Sequence, residues 1–356
     1  MKIAILNDTH FGVRNDSVAF RNYQLRFYNE ISFPYIEKNN ITTLIHLGDV
    51  VDRRKFINHQ TASIFRKEFF DRLWKQKIDT HIIIGNHDTY FKNTNEVNAI
   101  DNLYTSFDGI NEPFIYTRPK IVEFDGVPIL FMPWICDDTK EESIHMLNTA
   151  KADLCFGHLE IKGIEMQNGV INEHGNDKAD FNRFDRVVSG HFHKHTDDGH
   201  IFYCGAQYEM TWSDYQDPKG FHIFDTETRE MERIWNPLTI HKKIIYDDKK
   251  KDYNNLDLTP YDNHYIKLIV LNKTDDIQFD KFVERLYNEI TVHDLNIIED
   301  YSDIKASVRD DIVEMGEDTI TFLNNYVDQL ELGPDVNKTK LKEYLKSFYI
   351  EANDNA

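Results

Sequence analysis

The sequence predicts an α/β fold: a layered two-sheet domain flanked by helices, then a small α+β unit and a C-terminal helical segment. Short apolar runs rich in Ile, Val and Leu recur at residues 3–6, 43–47, 81–84, 152–156 and 186–188, the pattern of strands buried on both faces. Stretches of helical periodicity separate the early runs. Each run leads into a polar motif: Asp8-Thr9-His10, Gly48-Asp49, Gly85-Asn86-His87-Asp88, Gly157-His158 and Gly190-His191-Phe192-His193. Ligands of open α/β sheets gather outside the carboxyl ends of the strands, so five scattered motifs can converge on one crevice.

The elements follow in order. Helices are predicted over 16–37, 58–77 and 94–107, the second carrying an apolar stripe of Ile64, Phe65, Phe69, Leu73 and Trp74. A hairpin over 121–134 turns at Asp125-Gly126, and a second pairs 221–224 with 231–235 through Thr226-Glu227-Thr228. Residues 1–240 therefore form one unit. Pro237, Pro260 and the charged run 247–252 mark a boundary. Residues 241–301 hold a compact strand-helix-strand unit, with Phe279, Phe282, Val283, Leu286, Tyr287 and Ile290 on one helix face. An acidic linker over 302–317 leads to two amphipathic helices over 318–356, split at Gly333-Pro334. Two such helices bury too little to stand alone, so they pack on the chain's own body or on a partner, and the charged linker favours a partner.

With 356 residues the chain exceeds the roughly 250–300 at which a single core stops growing. It is 40% hydrophobic and has no apolar stretch approaching the ~20 residues that span a bilayer, while Met1 to Leu6 is too short for an export signal, which predicts a cytoplasmic protein. Cys136, Cys155 and Cys204 are odd in number and sit in apolar surroundings, as reduced core thiols do. The net charge of -20 opposes a simple nucleic-acid binder, so any basic footprint must be local. Arg14, Arg21, Arg26, Arg53-Arg54-Lys55, Arg66 and Lys67 are its candidates, and solvated helix faces explain them equally well. Bound divalent ions would invert the local electrostatics in any case.

Asp8 and His10 fall on the same side of an extended segment and can grip one ion. Asp49 can bridge two ions through its two oxygens, with Gly48 letting the backbone come close. Asn86 offers an amide oxygen, His158 and His191 offer imidazoles, and His193 repeats the spacing of His10. Oxygen and nitrogen donors without thiolate suit manganese, iron or zinc better than copper or calcium. Two ions about 3.5–4 Å apart polarise a phosphoryl oxygen and activate water, so no protein nucleophile is needed. His87 is assigned to the leaving group or the transition-state charge, with Asp88 orienting its imidazole. Each motif alone is weak, and the five in order point to a dimetal phosphoesterase. His46, His81, His145, His195, His200 and His222 are read as core or surface residues, and Glu160 and Asp52 as candidates for support behind the ligands.

From Asp8 to His193 the chain resembles the calcineurin-like metallophosphoesterases. Within them it is similar to the SbcD-type nuclease subunits of DNA double-strand-break repair, including the recombination endonuclease subunits of T-even-like bacteriophages. Further marks of the likeness are Arg53-Arg54-Lys55 with Asn58-His59, Pro133-Trp134, Gly157-His158-Leu159-Glu160 and Asp217-Pro218-Lys219-Gly220-Phe221. The resemblance implies a first metal on Asp8, His10, Asp49 and His193, a second on Asp49, Asn86, His158 and His191, and catalysis by His87. It implies two Mn2+ ions, 3′ to 5′ exonuclease action on duplex DNA, endonuclease action on single strands, a capping domain, an SMC-like coiled-coil ATPase partner and a homodimer. Arg14, Arg53, Arg54, Lys55 and His59 become the DNA-binding candidates, and the face of Ile64 and Phe65 a dimer contact. Arg54 and Asp88 stand where protein serine/threonine phosphatases carry glycine and glutamate, which sets that reading aside. A nucleotide or cyclic-nucleotide phosphodiesterase, or a scaffolding subunit with a vestigial site, are the alternatives.

Overall fold

The computed structural model describes residues 1–104, 113–167 and 170–299, and beyond them Val327, Lys338, Lys340, Leu341, Lys342 and Tyr344. Two six-stranded sheets dominate. The first runs Met231–Asn236, Lys219–Asp225, Lys2–Leu6, Thr43–His46, Asp79–Ile83, Phe114–Tyr116, its last four strands parallel. The second runs Thr196–Asp197, Ile201–Tyr203, Arg186–Gly190, Leu154–His158, Val127–Met132, Lys120–Phe124, its middle four strands parallel.

Alternation along the strands builds the layers. Ile3, Ile5, Ile45 and Ile83 face Phe131, Phe156 and Val188 between the sheets. Ala4, Leu6, Leu44 and Ile82 point the other way, onto Phe20, Phe27, Phe33, Phe65 and Phe69. On the far side of the second sheet, Leu130, Cys155 and Val187 pack with Leu147 of the helix Lys140–Thr149. Each fully buried side chain of this size contributes about 1.5–3 kcal/mol, so burial on both faces holds the first sheet between the helices and the second sheet. All three cysteines are buried and free, consistent with core thiols.

The first two predicted helices are present, each interrupted by a π turn. Val18–Phe27 continues through Tyr28–Ser32 into Phe33–Lys38, and His59–Phe65 through Arg66–Phe70 into Asp71–Lys75. The extra residue in the wider turn rotates the apolar face. Phe70 is therefore buried and Trp74 is 42% exposed, against the predicted stripe. Phe65 is fully buried and stacks on Phe11 at 3.7 Å, so it cannot serve as a contact with a second copy. The third helix begins late, at Ala99–Leu103, because Asn98 caps it: its side chain accepts from the N–H groups of Ile100 and Asp101. The end of that prediction, 105–107, lies outside the described residues. The hairpin at Asp125-Gly126 forms as predicted, with both turn residues at positive φ (53° and 79°).

A three-stranded parallel sheet, His241–Asp247, His264–Asn272 and Val292–Ile298, is covered on one face by the helix Asp276–Glu289. Its first strand lies where the sequence predicts only a boundary. Glu209 joins this sheet to the larger body: its Oε2 accepts from the N–H groups of Ile240 (2.8 Å) and His241 (3.0 Å). The linker over 302–317 lies outside the described residues, as does most of the segment over 318–356; Val327 in it is helical and fully buried.

Candidate metal centre

The carboxyl ends of five parallel strands, three from the first sheet and two from the second, meet at one end of the sandwich. Asp8 and His10 follow Lys2–Leu6, Asp49 follows Thr43–His46, and Asn86 and His87 follow Asp79–Ile83. From the other sheet, His158 ends Leu154–His158, and His191 and His193 follow Arg186–Gly190. Three groups of side chains each bring their donor atoms within 4.8 Å of one another: Asp8, His10 and His193; His10, Asp49 and His87; and Asp49, His158 and His191. Asn86 joins the last, its Oδ1 lying 2.8 Å from His158 Nε2.

Asp49 sits between the groups. Its Oδ1 accepts from the His87 N–H at 2.8 Å. Its Oδ2 is buried, lies 3.2 Å from His158 Nε2 and 3.8 Å from His10 Nε2, and makes no hydrogen bond. Asp49 thus presents one oxygen held by a peptide N–H and a second turned toward the His158 and His10 ring nitrogens. His193 Nε2 meets His10 Nε2 at 3.2 Å, two ring nitrogens aimed at one place. A buried carboxylate oxygen without a donor, converging imidazoles and an amide oxygen fit a pair of divalent ions, with donors that suit manganese, iron or zinc.

The backbone is unusual here. Asp8, His10, Asp49 and His191 have φ of 45°, 42°, 55° and 85°, a region that non-glycine residues rarely occupy. Asp8 and His10 therefore do not share the face of an extended segment; left-handed turns bring them together. Likewise His191 and His193 join different groups. Gly48 has φ 93°, and a Cβ on Gly85 would lie 2.2 Å from Asp49 Oδ1, so glycine is required where the two strand ends cross.

Asp88 is not aimed at His87. Its carboxylate accepts from four backbone N–H groups, those of Gly85 (2.9 Å), Asp49 (2.9 Å), Val50 (2.8 Å) and Val51 (3.2 Å), which ties the two loops together. His87 Nδ1 instead meets the backbone carbonyl of Asp52. The sequence assigns the orienting role to a neighbouring carboxylate, and tertiary contact gives it to a distant peptide. His46, read as a core residue, also supports the site: its Nε2 lies 3.2 Å from Thr9 Oγ1, and its Nδ1 accepts from the Gly48 N–H at 3.2 Å. Trp134 flanks the second group, with ring centroids 5.2 Å from His191 and 6.1 Å from His158.

Burial and charge set the protonation states. Burial raises Asp8 to about 6 and Asp88 to about 6. For His158 burial opposes protonation, but the Asp49 carboxylate outweighs it and raises the ring to about 9. Asp49 is held well below the usual carboxylate range: burial works against this, and His158 and His87 overcome it. Burial lowers His46 to about 3, leaving that ring neutral.

The basic candidates are less available than the sequence implies. Arg53 is paired with Asp16, hydrogen-bonds Asn15 and stacks over Phe56 at 4.6 Å. Arg14 donates from Nε to the Met210 carbonyl at 3.0 Å. Arg54 is half-buried, whereas Lys55 and His59 are exposed.

Residues 1–195 match the calcineurin-like phosphoesterase family, and the chain belongs to it. It is 33% identical over 354 residues to exonuclease subunit 1 of Enterobacteria phage T4, covering 99% of each chain. Among solved structures it is similar to an archaeal phosphodiesterase at 18% identity, with 66% of this chain and 100% of that one covered and a TM-score of 0.33. A hypothetical protein from Thermus thermophilus is similar at 15% identity, with 67% and 100% covered and a TM-score of 0.36. Among the described residues no helix is long and apolar enough to cross a membrane.

Proposed function

We propose that the chain is the nuclease subunit of a DNA repair and recombination complex, manganese-dependent, with 3′ to 5′ exonuclease action on duplex DNA and endonuclease action on single strands. Family membership supports phosphoester hydrolysis, and similarity to exonuclease subunit 1 along nearly the whole chain supports DNA as substrate. The observation that carries the reading is Asp49 Oδ2, buried between the His10 and His158 rings with no donor of its own. Asp8, His10, Asp49 and His193 would hold one ion, and Asp49, Asn86, His158 and His191 the other. Bound there, the ions supply Lewis acidity to the phosphoryl group and the attacking water.

The chain's own residues do the rest. A carbonyl has no proton to give, so the Asp52 peptide fixes the proton of His87 at Nδ1 and assigns the chemistry of this ring to Nε2. Protonated there, His87 gives its proton to the leaving oxygen as the P–O bond breaks. Asp88 keeps the loops carrying Asp49 and His87 at a fixed separation. An SMC-like coiled-coil ATPase belongs in the same proposal, with residues 241–301 as a capping domain and 318–356 as the docking segment, and so does a homodimer. Purified protein with Mn2+ on end-labelled duplex and single-stranded DNA tests the reading. Release of 3′ nucleotides from duplex and internal cleavage of single strands are expected. Hydrolysis of small phosphodiesters with long DNA left intact would replace it with a nucleotide phosphodiesterase, and inertness on both would leave a scaffold.

A further inference from the structure

Lys219 opens the strand Lys219–Asp225, yet its side chain is only 2% exposed. Its ammonium has three N–H donors and meets three oxygens: Asp214 Oδ1 at 2.6 Å, Asp217 Oδ2 at 2.8 Å and the carbonyl of His193 at 3.0 Å. Asp214 is itself immobilised, its Oδ2 accepting from the N–H groups of Met210 and Thr211 at 2.9 Å each. The His193 carbonyl takes a second donor, the Ala206 N–H, at 2.9 Å.

Burying an ammonium is costly, and an apolar residue of similar volume would join the strand to its surroundings without that cost. What the charge adds is a directed grip on one carbonyl. That carbonyl belongs to His193, whose ring meets His10 at 3.2 Å, and the grip spans both sheets, because Lys219 lies in the first and His193 follows a strand of the second. His191 is held separately, its N–H donating to the Asp8 carboxylate at 3.0 and 3.1 Å.

We propose that Lys219, braced by Asp214 and Asp217, is a positioning residue for the first ion: it clamps the His193 carbonyl and so sets the direction of the His193 ring. The proposal rests on the dimetal reading above and adds a residue to it. Without the ammonium the carbonyl keeps one donor, two carboxylates lose their cation, and the His193 backbone is released while Asn86, His158 and His191 stay in place.

Titration of the full chain with Mn2+, followed by calorimetry and by the electron-spin signal of the bound ion, tests it. In Lys219→Met the first ion should bind about 10–100-fold more weakly, as for other residues behind metal ligands, with the second within about threefold of wild type. Lys219→Arg, which keeps a multiple donor, should recover part of the loss. Should Lys219→Met fail to fold, Asp217→Asn decides, because Asp217 is 17% exposed and Lys219 keeps Asp214; a smaller loss, again confined to the first ion, is expected. Folded variants that bind both ions as wild type does, or lose both equally, overturn the clamp. Wild-type protein binding fewer than two ions overturns the dimetal reading and the clamp with it.

Discussion

A left-handed residue costs roughly 1–2 kcal/mol, and four of the seven candidate ligands adopt that conformation. Such strain persists where the surroundings over-determine it, here through the peptide contacts Asp8 N–H to Gly48 O (2.9 Å) and His10 N–H to Asp49 O (3.0 Å). The candidate ligands were legible in the sequence because each is a polar residue placed just past an apolar run. Their backbone turns were not, since no residue type announces them; Asp52 was among the supports the sequence names, and its carboxylate lies 3.4 Å from His10 Nδ1, but the part its carbonyl plays at His87 was hidden because any residue has one. Two substitutions separate the roles. Asp49→Ala should lose both ions in an elemental analysis, and His87→Ala should keep both and lose cleavage; metal loss in the latter would make His87 a ligand. The protonation states give a pH dependence as well. His158 is raised to about 9, so its stabilising proton is fully present below the ordinary 6.5 and is lost as pH rises through 9. Asp8 and Asp88, raised from 3.8 to about 6, favour the protonated fold, an advantage that is full below 3.8 and is lost as pH rises through 6. In EDTA the melting temperature should therefore fall between pH 6 and 9. Saturating Mn2+ should remove the fall, because a cation takes the place of the proton; parallel curves with and without metal would refute this account.

Strand ends, and not whole elements, position the chemistry, so the bonds between neighbouring loops decide whether the centre exists. Asp88 is the clearest case. Truncating it leaves four buried N–H donors without an acceptor, each costing about 1–3 kcal/mol when relaxation cannot recover it. Asp88→Ala should lose at least about 3 kcal/mol in urea unfolding and bind neither ion tightly. A loss under about 1 kcal/mol would show that the loops hold themselves. Elements were legible where one period ran unbroken, as in the strands facing the inter-sheet core and the helix Asp276–Glu289. Elements were obscured where a second signal overlaid the first. The strand His241–Asp247 was hidden by Pro237 and by the charged run that begins at its last residue, although Ile244 and Tyr246 alternate as a one-face strand should. The π turns escaped because Phe69 and Phe70 are adjacent, and helical spacing admits only one of them to a stripe. The Lys219 cluster was hidden because its parts look like an ordinary polar turn before a strand.

For the whole molecule, the proposed function sets a net charge of -20 against a centre that would be cationic once loaded with metal, and that balance would govern how DNA is held. Most nonspecific affinity comes from Lys and Arg on phosphates, and each neutralised phosphate adds about 0.9 to the slope of log affinity against log salt. Arg53 is already paired with Asp16 and Arg14 serves the Met210 carbonyl, which leaves Lys55 and His59 as the exposed residues among the five DNA-binding candidates. With half-buried Arg54 these make about three contacts at most, which predicts a loss of roughly 40-fold between 50 and 200 mM salt, against the 10³–10⁵ of proteins making 6–10 contacts. Fluorescence anisotropy of the isolated chain on duplex DNA, with a metal that does not support cleavage, measures that slope. Lys55→Ala should flatten it by about one contact and slow DNA cleavage while sparing a small phosphodiester. Arg53→Ala should act differently, releasing Asp16 and Asn15 beside the His10 loop and depressing both substrates. A steep slope in the isolated chain would mean that basic groups beyond this patch hold DNA; equal behaviour of the two variants would mean that the Arg53–Asp16 pair opens to receive phosphate.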